Sequence, residues 1–269
     1  MKDKFRWRRR AADPAGDERD RRIAELVAAV PHGDPAQLAF QISEIGGDLI
    51  YERHGITVGP GDIVIDAGGN IGVSALHFAL QSGAAEVHSF EPVPTTFEIL
   101  SRNVAGTVAC TAHPLGLAAA EGTAEITHFA GGDSVMSGLG ADPDRLREKL
   151  ALAGRNFGLS AAEAEAAAGE RLEPRTSTCR LTTVSAFLRA QDLPRVDLLK
   201  IDVEGSELEV LRGIAEEDWP KIRQIAAEVH EDELLERITA LLADRSFEVV
   251  TEQDPQLEGT PVRLLYATR

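Results

Sequence analysis

The sequence is poor in cysteine, in long apolar runs and in positive charge. Its 269 residues contain two cysteines, Cys110 and Cys179, which lie too far apart to form a CxxC metal-binding pair. No apolar run approaches the roughly 18 residues of a membrane span, and the N-terminus lacks the apolar stretch of a signal peptide. We therefore expect a cytoplasmic protein with reduced thiols.

The shortage of positive charge restricts the class of partner. The chain carries 28 Lys and Arg residues against 44 Asp and Glu residues, which gives a formal net charge of −16. Nucleic acids and anionic membranes both bind basic surfaces. The charge balance therefore argues against either as the main partner, and a small-molecule ligand is the expected alternative.

Two regions are predicted to be helical and to stand apart from the main fold. Residues 1–58 form an N-terminal extension, in which apolar spacing predicts helices over Arg21–Val30 and Pro35–Arg53. A segment of about residues 142–173 is rich in Ala and Glu and poor in large apolar residues, so it is predicted to be a helical insertion. Such an insertion could serve as a lid or as a dimer surface, and the sequence leaves the oligomeric state open.

Residues 59–269 are predicted to form one α/β domain. Short apolar strands alternate with helices from Ile63 onward, and this alternation indicates a parallel sheet covered on both faces by helices. Ligands of such sheets bind beyond the carboxyl ends of the strands. The last two predicted strands, 247–252 and 262–268, follow each other as a hairpin, so one strand of the sheet must be antiparallel.

A glycine-rich loop, "DAGGNIG", follows the first apolar strand. Gly68, Gly69 and Gly72 permit unusual backbone angles and remove Cβ atoms that would collide with a ligand. The spacing D-x-G-x-x-x-G differs from the G-x-G-x-x-G pattern of dinucleotide-binding loops. A carboxylate at Asp66 would repel a pyrophosphate and would suit a cationic amino group or a sulfonium.

A second acidic residue, Glu91, comes directly after the next strand in "SFEP". An acidic residue about 20 positions after the glycine loop commonly accepts hydrogen bonds from ribose hydroxyls. Together, Asp66 and Glu91 indicate S-adenosylmethionine as the cofactor. An NAD(P)-dependent oxidoreductase would share the strand, the loop and the ribose carboxylate, so it stays an alternative. A non-catalytic, cofactor-binding docking domain of a synthase is another.

Three motifs resemble those of a known family. "VIDAGGNIGVSALHFA", "SFEPVP" and "LLKIDVEGSELEVLRG" are similar to motifs of FkbM-type S-adenosylmethionine-dependent methyltransferases, and the likeness runs from about Asp62 to the C-terminus. The resemblance implies a class I methyltransferase (Rossmann-like) fold with a seven-stranded, mostly parallel sheet and an antiparallel last strand. It also implies O-methylation of a hydroxyl on a polyketide or nonribosomal-peptide-type natural-product intermediate, either free or bound to a carrier protein.

Further binding residues are expected at the same edge of the sheet. Glu204, together with Ser134 and Met136 in "SVMSGL", is expected on the acceptor side. The cofactor is expected to contact the glycine loop, the ends of the neighbouring strands and a later turn, namely Asp66, Gly68, Gly69, Asn70, Gly72, Glu91, Pro92, Gly116, Leu117 and Asp202.

Methyl transfer to a hydroxyl needs a group that removes the hydroxyl proton, and histidine suits this task near neutral pH. Among seven histidines, His230 is the best placed, because it ends the strand "IAAEVH" at the edge where the cofactor should lie. Glu228 lies two residues earlier, so it projects to the same side of that strand and could orient the imidazole. Capping of the following helix is the alternative role for His230.

The acidic residues after the strand "LLKI" allow several roles. Asp202 and Glu204 could contact the methionine amino group, position the acceptor, or join Glu228 and His230 around a divalent metal, for which Mg²⁺ would be preferred over Zn²⁺. No closely spaced ligand cluster marks a metal site, so no metal ligand is assigned.

Three charged neighbours of this acidic pair are predicted to have structural roles. Lys200 is expected to form a salt bridge within the sheet edge. Glu207 and Glu209 are interpreted as first-turn acids that favour the N-terminus of their helix.

Overall fold

A computed structural model of the chain describes residues 41–129, 160–171, 174–254 and 257–269, together with the single residues 21, 38, 147, 148, 151, 152, 154 and 155. Most of the predicted helix Arg21–Val30, both Ser134 and Met136, and a large part of the 142–173 insertion lie outside the described residues. Within the insertion, a helix over Ala161–Arg171 agrees with the predicted helical character. Among the described helices, none has the length and apolar character needed to cross a bilayer.

Ten strands occur in the described part of the chain. They are β1 Ile63–Ala67, β2 Glu86–Phe90, β3 Cys110–His113, β4 Gly116–Leu117, β5 Gly122–Phe129, β6 Pro174–Thr182, β7 Leu198–Ile201, β8 Gln224–Val229, β9 Glu248–Glu252 and β10 Arg263–Thr268. Seven of them form the main sheet in the order β3-β2-β1-β7-β8-β10-β9. β10 pairs antiparallel with both β8 and β9, and the remaining pairs are parallel. The predicted seven-stranded sheet with an antiparallel last strand is therefore confirmed.

Helices cover both faces of the main sheet. Their bounds are Val73–His77, Pro94–Val104, Val184–Ala190, Glu207–Arg212 and Asp232–Ala243, with π-helical turns at Ser43–Gly47 and Phe78–Ser82 and a 3₁₀ turn at Trp219–Lys221. The central strand β1 is buried at every position. Ile63 and Ile65 pack into the core on one face and Val64 into the core on the other, which explains why this strand is a continuous apolar run.

A smaller sheet of order β4-β6-β5 lies apart from the main one. β5 was expected as a strand, but β6 was not predicted. Its sequence, "PRTSTCRLT", is largely polar, with Arg175, Thr176 and Arg180 exposed and only Cys179 buried among its inner positions. The strand forms because it pairs with β5 along its length, and the polar sequence gave no signal of that pairing.

The described part of the N-terminal extension packs against the main sheet. The helix predicted over Pro35–Arg53 ends earlier, at Gly47, because two glycines at 46 and 47 weaken helical propensity. Ile50 and Tyr51 are buried in the same core as Val64, and the Tyr266 hydroxyl donates to the Ile50 carbonyl at 2.8 Å. The domain boundary at residue 58 stays a prediction, but Ile50, Tyr51 and Ile56 share the core of the main sheet.

The glycine loop is packed against the chain itself. Gly68 has a φ of +78°, and a Cβ there would lie 1.8 Å from the Asp202 carbonyl oxygen. The amide groups of Gly68 and Gly69 donate to the Phe90 carbonyl at 3.1 and 2.8 Å. We predicted that these glycines make room for a ligand; at Gly68 the absent side chain first allows the loop to meet the end of β7.

Replacing Gly68 with alanine should destabilise the protein more than the same change at Gly61. Both residues have a positive φ, +78° and +92°, but a Cβ at Gly61 meets nothing within 4 Å. Gly61→Ala should therefore cost only the backbone strain, about 1–2 kcal/mol, whereas Gly68→Ala adds about 1–3 kcal/mol of overpacking. Urea unfolding measures both values, and equal losses would contradict the packing role of Gly68.

Candidate active site

The predicted site residues gather at one edge of the main sheet. Asp66 belongs to β1, Glu91 follows β2, Asp202 follows β7 and His230 follows β8. These four strands are parallel neighbours in the order β2-β1-β7-β8. Their carboxyl ends therefore lie side by side, which brings together residues that are up to 164 positions apart in the sequence (230 minus 66).

Asp66 is completely enclosed by protein groups. Its side chain is 0% exposed, and Oδ2 accepts hydrogen bonds from the hydroxyls of Ser89 at 2.7 Å and Ser74 at 2.9 Å. The predicted contact between this carboxylate and a ligand stays a prediction; in the structure the side chain meets Ser74, Ser89 and Lys200. A Cβ at Gly69 would lie 1.9 Å from Ser89 Oγ, so the loop rests directly on this hydrogen-bonded group.

Lys200 makes the ion pair that was predicted for it. Its ammonium lies 3.0 Å from Asp66 Oδ1, with the two side chains 2% and 0% exposed. The same ammonium donates to the Gly68 carbonyl at 2.7 Å. Burial acts to lower the pKa of Lys200, but attraction to Asp66 and then to Asp202 raises it overall. Lys200 is therefore a cation that joins β7 to β1 and to the glycine loop.

Glu91 is buried and holds the other side of the loop. Its Oε2 accepts a hydrogen bond from the backbone N–H of Asn70 at 3.1 Å, and its Oε1 accepts one from the backbone N–H of Val93 at 2.8 Å. Asn70 has a φ of +49°, a left-handed conformation that asparagine tolerates. Burial raises the pKa of Glu91 to about 8, although the two amide hydrogen bonds act in the opposite direction.

Other residues predicted to contact the cofactor lie beside Glu91 or support the loop. Gly116 of β4 packs on Pro92, and a Cβ at Gly116 would lie 3.5 Å from Pro92 Cβ. The Leu117 side chain is part of the main core. Gly72 directly precedes the helix Val73–His77 and has a φ of +95°. It packs against the Leu100 side chain of the helix Pro94–Val104.

Asp202 is reached by a tyrosine from the N-terminal segment. The Tyr51 hydroxyl donates to Asp202 Oδ2 at 3.1 Å, and the Lys200 ammonium lies 3.8 Å from the same oxygen. Burial raises the pKa of Asp202 to about 7, while Lys200 lowers it and Glu228 raises it further. The Asp202 side chain keeps 29% of its surface exposed, so it can meet a ligand.

His230 is buried among three glutamates. Its Nδ1 lies 2.8 Å from Glu207 Oε1, and its Nε2 lies 3.3 Å from Glu204 Oε2 and 3.3 Å from Glu228 Oε1. Glu228, which we expected to orient the imidazole, is therefore on the Nε2 side. Glu207 makes the closer contact.

Glu207 and Glu209 differ, although both were interpreted as first-turn acids. Glu209 is 46% exposed and pairs with Arg212 on the helix surface. Glu207 is completely buried, and its Oε1 also accepts the Gly205 amide at 2.7 Å. The first-turn placement of both residues is confirmed, but Glu207 also lies against His230, at 2.8 Å from Nδ1.

Negative charge concentrates on the side of the site away from Glu91. The pKa of Glu44 is raised, mainly by burial and then by repulsion from Glu228 and Asp254.

Three side chains of this site form a group that could bind a cation. Asp202, Glu228 and His230 each offer one potential ligand atom, and these three atoms lie within 4.8 Å of one another. This donor set has the chemistry of a divalent-cation site and equally that of a proton-accepting group.

Several residues of this site could not be identified from sequence patterns. Tyr51 lies 151 positions from Asp202, and Ser74 and Ser89 are small polar residues that look like ordinary helix and strand positions. Only the fold brings them to the carboxylates. Ser134 and Met136, predicted for the acceptor side, lie outside the described residues.

Residues 66–249 match the family described as "Methyltransferase FkbM domain". The chain is 37% identical over 250 residues to the 31-O-demethyl-FK506 methyltransferase FkbM of Streptomyces tacrolimicus, covering 90% of this chain and 94% of that protein. It is 31% identical over 228 residues to the methyltransferase sdnD of Sordaria araneosa, covering 80% and 83%. It is also 31% identical to the AMB antimetabolite synthetase AmbE of Pseudomonas aeruginosa, with 96% of this chain matching 14% of that protein.

Removing the charge of Lys200 should be strongly destabilising. Lys200→Met leaves the Asp66 carboxylate buried without its cation, which costs about 3–5 kcal/mol of unfolding free energy. Arg102→Met is the control, because Arg102 and Glu98 form an exposed pair on one helix and such pairs contribute about 0.3–0.5 kcal/mol. Urea unfolding measures both changes, and a Lys200→Met loss as small as that of the control would contradict the structural role of the ion pair.

Proposed function

The chain belongs to the FkbM methyltransferase family and is an S-adenosylmethionine-dependent methyltransferase, and on this premise we propose that it methylates a hydroxyl oxygen of a natural-product intermediate. The family sets aside the oxidoreductase and the non-catalytic docking domain that the sequence alone left open. The similarity to an enzyme named for 31-O-demethyl-FK506 supports oxygen as the atom that accepts the methyl group. The proposal includes a cytoplasmic location, which the free thiols of Cys110 and Cys179 support.

The observation that carries the proposal is the pairing of a cofactor cradle with a proton-accepting cluster at one sheet edge. Asn70 and Glu91 form the cradle, because the Asn70 amide fixes one oxygen of a buried carboxylate whose remaining lone pairs suit ribose hydroxyls. Asp202, with its exposed fraction of 29%, is available to the amino group of the methionine moiety. S-adenosylmethionine, when bound, supplies the methyl group as part of a sulfonium.

His230 is the residue we assign to the acceptor hydroxyl. Its Nε2 lies at the carboxyl edge of β8 between Glu204 and Glu228, each at 3.3 Å. When the ring accepts the hydroxyl proton it gains a positive charge, and the neighbouring carboxylates stabilise that charge. Glu204 and Glu228 also provide acceptor oxygens that can orient the remaining groups of the substrate.

An acceptor tethered to a carrier protein is a further part of the proposal. The similarity to a synthetase, of which this chain matches 14%, supports a modular context for relatives of this enzyme. A free intermediate is the alternative, and transfer of labelled methyl groups to free and carrier-bound hydroxyl compounds separates the two.

A divalent cation such as Mg²⁺ also fits the same edge. Asp202, Glu228 and His230 would hold it, because their potential ligand atoms lie within 4.8 Å of one another, and the cation would supply Lewis-acid polarisation of the acceptor hydroxyl. We favour His230 as a proton acceptor, because only two of the three donors are oxygens and Mg²⁺ prefers oxygen ligands.

Binding of S-adenosylhomocysteine should be selective and should strengthen as the pH rises toward 8. The ribose hydroxyls donate to the ionised form of Glu91, whereas burial raises the pKa of Glu91 to about 8, so binding at pH 7 must release a proton. The affinity should therefore fall by up to about tenfold per pH unit below pH 8 and level off above it. Calorimetric titration at pH 6 to 9 measures this dependence.

Two controls accompany the titration. Glu91→Gln should weaken binding and remove this part of the pH dependence, since the amide does not titrate. NAD(H) should not bind, and selective binding of NAD(H) would overturn the methyltransferase site.

Replacing His230 should reduce turnover without loss of cofactor binding. His230→Asn should lower kcat by about 10²- to 10⁴-fold, the usual contribution of a general base, with the Kd for S-adenosylhomocysteine unchanged. His128→Gln is the control, because His128 lies on β5 in the smaller sheet and bonds Ser177. The readout is transfer of labelled methyl to an acceptor selected from a panel of hydroxylated macrolides and peptides.

The same assay in EDTA tests the metal alternative. We expect turnover to persist, because His230 requires no metal to accept a proton. Loss of turnover that Mg²⁺ restores would instead assign His230, Asp202 and Glu228 as metal ligands.

A further inference from the structure

We propose that Tyr51 is a positioning residue for cofactor binding, whose hydroxyl holds one oxygen of Asp202 so that the other can accept the amino group of the methionine moiety. This inference rests on the proposed contact between Asp202 and that amino group. It deepens the proposed function, because it adds a residue from before the glycine loop to the recognition of S-adenosylmethionine.

The Tyr51 hydroxyl fixes the Asp202 carboxylate from the protein side. It donates to Oδ2 at 3.1 Å, so the carboxylate cannot rotate without breaking a charge-assisted hydrogen bond. Tyr51 is 4% exposed, whereas the Asp202 side chain keeps 29% of its surface exposed. The buried partner therefore holds Oδ2 and leaves Oδ1 for a ligand.

The same hydroxyl opposes a competing attraction. The Lys200 ammonium lies 3.8 Å from Asp202 Oδ2 and 3.0 Å from Asp66 Oδ1. A carboxylate without the tyrosine would be drawn toward this buried cation and away from a ligand. The centroid of the Tyr51 ring lies 5.3 Å from the ammonium, within the range of a cation–π contact. The ring thus covers the ion pair, and the hydroxyl holds Asp202.

The chain on both sides of Tyr51 is anchored to other elements. The Ile50 carbonyl accepts a hydrogen bond from the Tyr266 hydroxyl at 2.8 Å. Glu52 Oε2 accepts one from the Ser82 hydroxyl at 2.9 Å. Because these contacts are made within the protein, the fold itself places the Tyr51 hydroxyl, and binding does not have to supply the cost of ordering it.

The chain offers a matched control. The sequence contains two tyrosines, Tyr51 and Tyr266, which are 4% and 1% exposed. Both donate a hydrogen bond through the hydroxyl, but Tyr266 donates to a backbone carbonyl. Tyr51→Phe and Tyr266→Phe therefore remove the same atom from a buried ring, and only the first removes a contact with Asp202.

Two ligands separate the methionine moiety from the nucleoside. 5′-Methylthioadenosine keeps the adenosine and the sulfur of S-adenosylhomocysteine but lacks its amino and carboxyl groups. In calorimetric titrations, Tyr51→Phe should weaken S-adenosylhomocysteine binding by about tenfold, as expected for a lost hydrogen bond to a charged group. The Kd for methylthioadenosine should stay within about twofold. Tyr266→Phe should leave the ratio of the two Kd values unchanged.

Three outcomes of these titrations would overturn the proposal. An unchanged Kd ratio in Tyr51→Phe would remove the role in recognition of the methionine moiety. An equal loss of both ligands would show that the hydroxyl supports the site as a whole. An equal change of the ratio in Tyr266→Phe would assign the effect to the loss of any buried hydroxyl.

Asp202→Ala distinguishes a failure of this inference from a failure of the proposed function. The variant should weaken S-adenosylhomocysteine binding selectively, and adding Tyr51→Phe should cause no further loss, because Tyr51 acts through Asp202. An additive loss would refute the positioning role and leave the Asp202 contact in place. An unchanged Kd ratio in Asp202→Ala would refute that contact and this inference with it, whereas the role of His230 is tested separately by turnover.

Discussion

The buried ion pair between Lys200 and Asp66 is the interaction on which the site depends. Two oppositely charged side chains, 2% and 0% exposed, are stable together only because each satisfies the other and because Ser74, Ser89 and the Gly68 carbonyl complete their hydrogen bonds. The pair joins the two central strands at the point where the glycine loop leaves β1. The loop, the cradle around Glu91 and the position of Asp202 all follow from that junction.

The acidic side chains at this edge occur in two distinct environments. On one side, Glu91 is fixed by backbone amides, which suits a nucleoside. On the other, His230 lies among Glu204, Glu207 and Glu228, which suits the removal and stabilisation of a proton. β1 and β7 lie between β2 and β8 in the sheet, and neighbouring strands are about 4.8 Å apart, so one sheet edge holds the two environments at separate positions.

Local patterns in the sequence predicted most of the fold and part of the site. The strands of the main sheet and the glycine loop were predictable, because apolar runs and glycine spacing depend on neighbours in the chain. β6 was not, because its polar sequence becomes a strand only through pairing with β5. The complete burial of Asp66 and Glu207 was not predictable, since a strand end or a first helical turn is buried only through tertiary packing. Tyr51 required knowledge of a contact across 151 positions.

The attachment of the segment around Tyr51 has a consequence for the order of folding. The Ile50 carbonyl accepts a hydrogen bond from the Tyr266 hydroxyl on β10, and Arg53 forms an ion pair with Glu252 on β9. β10 itself lies between β8 and β9. Contacts of such large sequence separation form late, because loop closure must precede any stabilisation that they provide. We therefore expect the hydrogen bond from Tyr51 to Asp202 to form late in folding, together with the contacts that attach this segment to the final hairpin.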